Sequence, residues 1–266
     1  LRQITFGDRR DAAPALSPDG DRLVFIRTVD DVPQAWLIDL RAGGGEARPI
    51  TTLEQGVSSA QWSPEGRRLL LTTSVDAAEL DPAGPPWPDD RPGALESPSA
   101  DDDVEPDPGG SRAEIRAWLA ANADRQDPHV ITRLEFQGEH DLRGPMRFQQ
   151  LAVLAVDRVD AEPQQLTDGF YDHRSPVWMP DGRSILYVAA KDDSMHPDRV
   201  EERQIWRIDA DGTNDRAVVD LDGYALSRPA PSIDGSVLAF SGSEADDRVY
   251  ASVSYTHLTL PTIAKV

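Results

Sequence analysis

The fold class that the sequence predicts is all-β, a partial β-propeller of four-stranded antiparallel blades, and three observations predict it. A five-residue turn motif recurs four times with an apolar run behind it. A second strand pair follows three of these hairpins. The turn glycines at 20, 66, 182 and 235 are 46, 116 and 53 residues apart, and two of those intervals suit the roughly 40–50 residues of one propeller blade.

Each element follows from local chemistry. Leu16-Ser17-Pro18-Asp19-Gly20 precedes Leu23-Val24-Phe25-Ile26, and Trp62-Ser63-Pro64-Glu65-Gly66 precedes Leu69-Leu70-Leu71. Trp178-Met179-Pro180-Asp181-Gly182 precedes Ile185-Leu186-Tyr187-Val188, and Pro231-Ser232-Ile233-Asp234-Gly235 precedes Val237-Leu238-Ala239-Phe240. Proline presets φ at the first central turn position, Asp or Glu suits the second, and glycine supplies a left-handed conformation that costs other residues more. The run that follows has the apolar character of a buried strand. Behind the first, second and third hairpins come Ala35–Leu40 with Ala47–Thr51, Gln150–Asp157 with Pro163–Thr167, and Gln204–Asp209 with Arg216–Val219. Two hairpins make a blade, so blades are expected at 12–51, at 58–74 with 149–167, and at 174–219, with a partial blade at 227–252.

The long interval calls for an insertion within the second blade, placed at 76–127. This segment holds 14 acidic against 4 basic side chains, which supplies half of the chain's net charge of −20. From Asp76 to Gly110 it is dense in Pro and Asp and has no apolar period, so an irregular, disordered loop is expected. Ser111 with Glu114 forms a capping box, and Ile115, Trp118 and Leu119 then fall on one face, which predicts a helix over 112–123, ending before Asp127-Pro128. Trp118 at this spacing reads as a packing residue. Val130–Phe136 reads as an extra strand or ribbon.

Composition excludes several functions. Zero cysteines rule out disulfides, thiolate nucleophiles and cysteine-ligated metals. A charge of −20 argues against nucleic acid as a partner, since phosphate binding needs clustered Lys and Arg. No run approaches the roughly 18 apolar residues of a membrane span, so no membrane partner is expected; cytoplasmic localisation is the expectation, since a chain without cysteine slightly favours a reducing compartment.

The Pro-Asp-Gly hairpins, the Ile205-Trp206-Arg207-Ile208-Asp209 pattern and the Glu46-Ala47-Arg48-Pro49-Ile50-Thr51 stretch resemble the N-terminal propeller of the prolyl oligopeptidase family of serine peptidases, in its acylaminoacyl-peptidase and dipeptidyl-peptidase-like branch. Asp127-Pro128-His129-Val130-Ile131-Thr132-Arg133-Leu134, then Gln150-Leu151 and Gln165-Leu166-Thr167-Asp168-Gly169, resemble the region of that branch where an acidic insertion interrupts the second blade. The likeness covers nearly the whole chain up to about residue 250, and the incomplete propeller is placed at 1–252. Val253–Thr262 instead resembles the in-frame translation of a sequencing-library adapter, as at the ends of metagenomic genes, so 253–266 is set aside as a non-native tail together with His257. The first residue, Leu1, is no initiator Met, and the expectation is a natural start upstream.

Catalysis in that family uses a Ser on a Gly-x-Ser-x-Gly elbow of an α/β-hydrolase domain. This chain contains no such motif, so the expectation is a propeller without its catalytic domain. His129, His140, His173 and His196 have no metal-ligand spacing and read as structural. Ser17, Ser63 and Ser232 read as turn hydroxyls, and Asp19, Glu65, Asp181 and Asp234 as turn carboxylates. Gly43-Gly44-Gly45 precedes no helix and reads as a hairpin loop, not a phosphate cradle. No catalytic, cofactor or metal residue is therefore named. The resemblance implies peptide hydrolysis by the whole protein, with the propeller restricting access so that short peptides or acylated N-termini are substrates. The rival reading is a TolB-like, WD-like propeller that binds a protein partner without catalysis.

Overall fold

The computed structural model of the chain describes residues 4–5, 10–41, 45–81, 104–121, 146–158, 161–192, 194, 196–197, 200, 202–245 and 262–265. Contacts divide it into two units, Leu1–Pro86 with Pro145–Val266, and Trp87–Gly144.

The larger unit holds four antiparallel sheets. The first runs β1 (Asp11–Leu16), β2 (Arg22–Val29), β3 (Val32–Asp39) and β4 (Arg48–Pro49) in that spatial order. The second is β5 (Ser59–Trp62), β6 (Arg68–Asp76), β7 (Arg147–Ala155) and β8 (Gln164–Gln165), with one helical turn, α1 (Ala77–Leu80), directly after β6. The third is β9 (Arg174–Trp178), β10 (Ser184–Ala189), β11 (Gln204–Asp209) and β12 (Arg216–Val219). The fourth joins β13 (Tyr224–Pro231) and β14 (Val237–Glu244) to β15 (Thr262–Lys265). The fold is a partial β-propeller, all-β with strands in simple up-and-down order within each blade. No described helix is long and apolar enough to cross a membrane.

The turns close as their residues dictate. Ser17, Ser63 and Ser232 each accept on Oγ the backbone N–H five residues on, at 2.9, 3.0 and 3.0 Å. Gly20, Gly66, Gly182 and Gly235 sit at φ between +67° and +76°. Each donates its N–H back across the turn at 2.8–2.9 Å. Behind the outer strands a second device recurs. Thr51 Oγ1 accepts the Ala35 N–H at 2.9 Å and donates to Gln34 Oε1 at 2.7 Å, and Thr167 does the same with Leu151 and Gln150, both at 2.9 Å. These buckles hold outer strands that are only two residues long. In the third blade Asp220 follows β12 where the other two place Thr.

The middle strands are buried on both faces, which explains their unbroken apolar runs. Leu69 and Leu71 face the first blade with Val24, Ile26, Ala35 and Leu37, while Leu70 faces the third with Ile185 and Tyr187. Leu186 and Val188 face the fourth with Leu226, Leu238 and Phe240. Each such buried side chain contributes about 1.5–3 kcal/mol by removal from water, so the three interleaved clusters are the main source of stability.

The insertion leaves its blade intact. β6 and β7 pair through nine positions, Arg68↔Ala155 to Asp76↔Arg147, and an Arg147–Asp76 ion pair at 2.8 Å closes the end. Ordered structure thus runs past Ser74, and Asp76–Leu80 is strand and helical turn where the sequence suggested an irregular loop; the ladder continues because the Ala77 N–H still donates to Met146 O at 3.0 Å. Residues 82–103 and Val130–Phe136 lie outside the described residues.

In the smaller unit, α2 (Arg112–Ala121) matches the expected helix. Its capping box is formed, with the Ser111 N–H donating to Glu114 Oε2 at 2.6 Å and the Glu114 N–H to Ser111 Oγ at 3.4 Å. The Ser111 bonds hold the Glu114 carboxyl below its usual range. Ala117 is buried, and Ile115 and Trp118 are half-buried, as a packing face requires.

One expectation concerns the tail. Residues 253–261 and the side chains of 262–265 are not described, but the backbone of β15 pairs with β14 from Val237↔Lys265 to Phe240↔Thr262. An edge strand presents a row of unpaired N–H and C=O groups that accepts an extended segment of any origin.

Candidate functional site

Two arginines clasp consecutive blades. Arg22, which opens β2, donates to Gly66 O at 2.5 Å and to Asp157 at 3.1 Å, and its guanidinium lies 4.9 Å from the Trp62 ring centre. Arg68, which opens β6, donates to Gly182 O at 2.7 Å and lies 5.0 Å from the Trp178 ring. Planar guanidinium suits this use, since it stacks on a ring and donates in-plane at once. Ser184 and Pro231 hold the corresponding places at the third seam, so the clasp is missing there.

Polar groups also enter the apolar seam between the second and third blades. His173 precedes β9 and is fully buried; its Nδ1 donates to Gln149 O of β7 at 2.9 Å, a tautomer assigned from that partner. Its ring packs at 5.2 Å on Tyr187 of β10. Tyr187 donates to Asp215 at 2.5 Å, and Lys191 donates to the Tyr187 oxygen at 2.8 Å and to Asp215 at 2.5 Å, its ammonium 4.3 Å from the Trp206 ring. Burial lowers the His173 pKa to about 4, against the opposing bond to Gln149. Burial first, and then the Asp215 bond, push the Tyr187 phenol well above its usual range. A neutral imidazole whose Nε2 is buried without a hydrogen-bond partner among the described residues, packed on a phenol that shares Asp215 with an ammonium, suits holding two blades together and presents no poised nucleophile.

The first strand of each blade forms the inner wall. β1 lies beside β5 and β9 beside β13, and Gln61 of β5 donates to Pro176 O of β9 at 3.0 Å. Three of these strands carry the same bulge: Ala13, Ser175 and Arg228 have φ of 47°, 48° and 52°. Each is followed by proline, at Pro14, Pro176 and Pro229, and each is exposed. The pairing register shifts at all three places. Such bulges re-aim side chains. Ser59 takes this place in the second blade, without proline and without positive φ.

At the turn end of the second seam lies a groove of about 1010 Å³. Arg68, Arg158, Arg183 and Arg207 line it together with Glu162, Asp181, Asp209 and Asp211, so cations and anions balance and neither sign of ligand is favoured.

The sequence-singled residues do not converge. Ser17 donates to Asp19 and Ser232 to Asp234, both at 2.5 Å, while Ser63 donates to Arg68 O at 3.0 Å. The Ser17 bond holds Asp19 below the usual carboxylate range, and bonds from Ser232 and then Ser236 lower Asp234 to about 2. Glu65 pairs with Arg68 at 2.7 Å, and Asp181 accepts the Arg183 N–H at 2.9 Å. Gly45 donates to Asp39 O at 2.9 Å across its hairpin. His196 is half-buried in the β10–β11 connection, whereas His129, His140, His257, Gly43 and Gly44 lie outside the described residues. The prolines at 14, 176 and 229 are a signal that reading only from the turn motif onward misses, because they stand two residues ahead of it.

No family model matches the chain. It is 27% identical over 186 residues to the uncharacterized peptidase YuxL of Bacillus subtilis (strain 168), covering 70% of this chain and 22% of that protein. The chain thus spans about a fifth of the length of this curated relative. Among solved structures it is similar to a putative TolB from Agrobacterium tumefaciens, with 18% identity and a TM-score of 0.46 over 88% of this chain and 55% of that one. It is also similar to the Pyrococcus horikoshii acylaminoacyl peptidase, with 16% identity and a TM-score of 0.49 over 89% of this chain and 28% of that one. A peptidase relative in sequence, on a chain folded into consecutive four-stranded blades, bears out the resemblance to the N-terminal propeller of the prolyl oligopeptidase family of serine peptidases.

Proposed function

We propose that this chain is the substrate-gating propeller of a serine exopeptidase or oligopeptidase, whose substrates are short peptides or acylated N-termini and whose nucleophile resides in a further domain. The observation that carries the reading is the 186-residue kinship with a bacterial peptidase across the blades. The turn serines are consistent with it: Ser63 donates to backbone, and Ser17 and Ser232 donate to Asp19 and Asp234, carboxylates held below their usual range and so weak as bases. A wall of clasped blades beside a hydrolase domain excludes folded proteins by size and admits flexible short chains. The test compares the 266-residue chain with the full-length protein on acyl-amino-acid and dipeptide chromogenic substrates, and on a folded protein. The chain alone should be inactive. The full-length protein should turn over the small substrates, lose that turnover to a serine-directed inhibitor and spare the folded protein. Serine-inhibitor-sensitive turnover by the chain alone, or ready cleavage of the folded protein, would defeat the proposal.

A further inference from the structure

The inner wall differs from the rest of the chain in charge. The molecule carries −20 overall, yet β1, β5, β9 and β13 contain only Asp11, Arg174 and Arg228 as charged residues. Asp11 is held by Arg27 at 2.6 Å, and Arg174 by Asp172 at 2.5 Å. Arg228 makes no ion pair or hydrogen bond among the described residues, and it is exposed.

Its backbone makes the choice of residue informative. The bulge before proline imposes a positive φ at Ala13, Ser175 and Arg228 alike. That conformation costs an L-residue roughly 1–2 kcal/mol and is best met by Gly, Asn or Asp. A long β-unbranched cation gains nothing locally from standing there. What the bulge does provide is direction: it breaks the pleat and sets this side chain out on the exposed face of the innermost strand.

We propose that Arg228 is an anion-recognition residue of the inner wall, taking the carboxylate of a short peptide that enters along it. The proposal rests on the peptidase-propeller reading for the class of ligand. A planar guanidinium with no partner among the described residues matches a carboxylate in bidentate fashion. The wall offers no unpaired carboxylate to an N-terminal ammonium, so peptides whose N-terminus is blocked and whose remaining charge is negative suit it better than free-amine peptides.

The experiment measures binding to the 266-residue chain by fluorescence anisotropy, with N-acetylated labelled peptides in three forms: C-terminal carboxylate, C-terminal amide, and the amide with one internal Glu. Arg228→Gln should weaken the terminal-carboxylate form roughly tenfold, the size of one charge-assisted bond, and move the plain amide by less than about twofold. The Glu-containing amide identifies the source of the carboxylate: loss for that form too assigns recognition to any peptide carboxylate, and loss for the free acid alone assigns it to the C-terminus. Arg228→Gly separates recognition from folding, because it relieves the strained φ and should leave the thermal midpoint unchanged or raised while losing the same selectivity. Arg174→Gln should leave all three forms unchanged. Equal affinity of the native chain for acid and amide forms, or equal loss for all three on Arg228→Gln, overturns the proposal. A full-length protein without peptidase activity, beside a chain that still selects the carboxylate, would sink the peptidase reading and leave this one standing.

Discussion

His173 carries the clearest pH dependence of any described residue. The sequence showed five histidines, His257 in the tail that was set aside and four others scattered without ligand spacing, and that much was readable. Its surroundings were not, because they come from Gln149 on β7, Tyr187 on β10 and Lys191 beyond it, elements that only the blade-to-blade packing brings together. In the second and fourth blades Val57 and Leu226 stand at the same distance before the turn and are fully buried, so an apolar side chain suits the position. With a folded pKa of about 4, below the roughly 6.5 of an unfolded His, the imidazole takes up a proton more readily in the unfolded chain. Stability from this group is therefore complete above pH ~6.5 and falls as pH drops toward ~4, by an amount of about 3 kcal/mol. Chemical denaturation of native protein and His173→Leu across that range should show the native curve steepening and the variant nearly flat. Parallel curves would mean that the fold leaves the His173 pKa at its unfolded value.

At the scale of elements, the turns and strand pairs were legible because their chemistry is local: Pro18-Asp19-Gly20 and its repeats write a turn whatever surrounds them. The inner-strand bulges were written just as locally, in Pro14, Pro176 and Pro229, but their meaning depends on register, which pairing sets. The helix α2 was legible through Ser111 and Glu114, and the nine-position β6–β7 ladder was not, since its two strands lie seventy residues apart in sequence and only their pairing extends order to Asp76. Glycine positions separate the two kinds of information. Gly20 and Gly56 both have positive φ, of 76° and 75°. A Cβ on Gly20 would meet nothing within 4 Å, whereas one on Gly56 would stand 2.7 Å from Pro33 O and 2.9 Å from Pro33 Cδ, across the first seam. Gly20→Ala should then cost about 1 kcal/mol, the backbone penalty alone. Gly56→Ala should cost clearly more, on the order of 2–4 kcal/mol, because a neighbouring blade's backbone must shift. Equal losses in urea melts would show that the seam yields freely at Pro33.

The molecule as a whole is a row of blades locked unevenly. Arg22 and Arg68 clasp the first two seams, whereas the third carries no such clasp and is joined by apolar packing and by backbone pairing such as the Leu226 N–H to Arg203 O bond at 3.0 Å. Three core clusters join the four blades in sequence, and among the described residues no fourth cluster joins the last blade to the first. Leu16 stands where the other seams place the clasped Trp62 and Trp178, and it is 60% exposed; Ile233, in the proline position of the fourth turn, is 96% exposed. Apolar groups left in water at the two ends favour association between copies, while a net charge of −20 opposes it. The balance is set by screening, since the Debye length falls from about 30 Å at 0.01 M salt to about 8 Å at 0.15 M. Raising sodium chloride across that range should therefore move the chain from monomer toward larger species in sedimentation velocity, without loss of its far-UV spectrum. Leu16→Gln and Ile233→Pro together, the second restoring the residue that the first three turns carry, should hold it monomeric at the higher salt. Salt-independent association, or dissociation as salt rises, would place the contact on charged surfaces instead of these apolar ends.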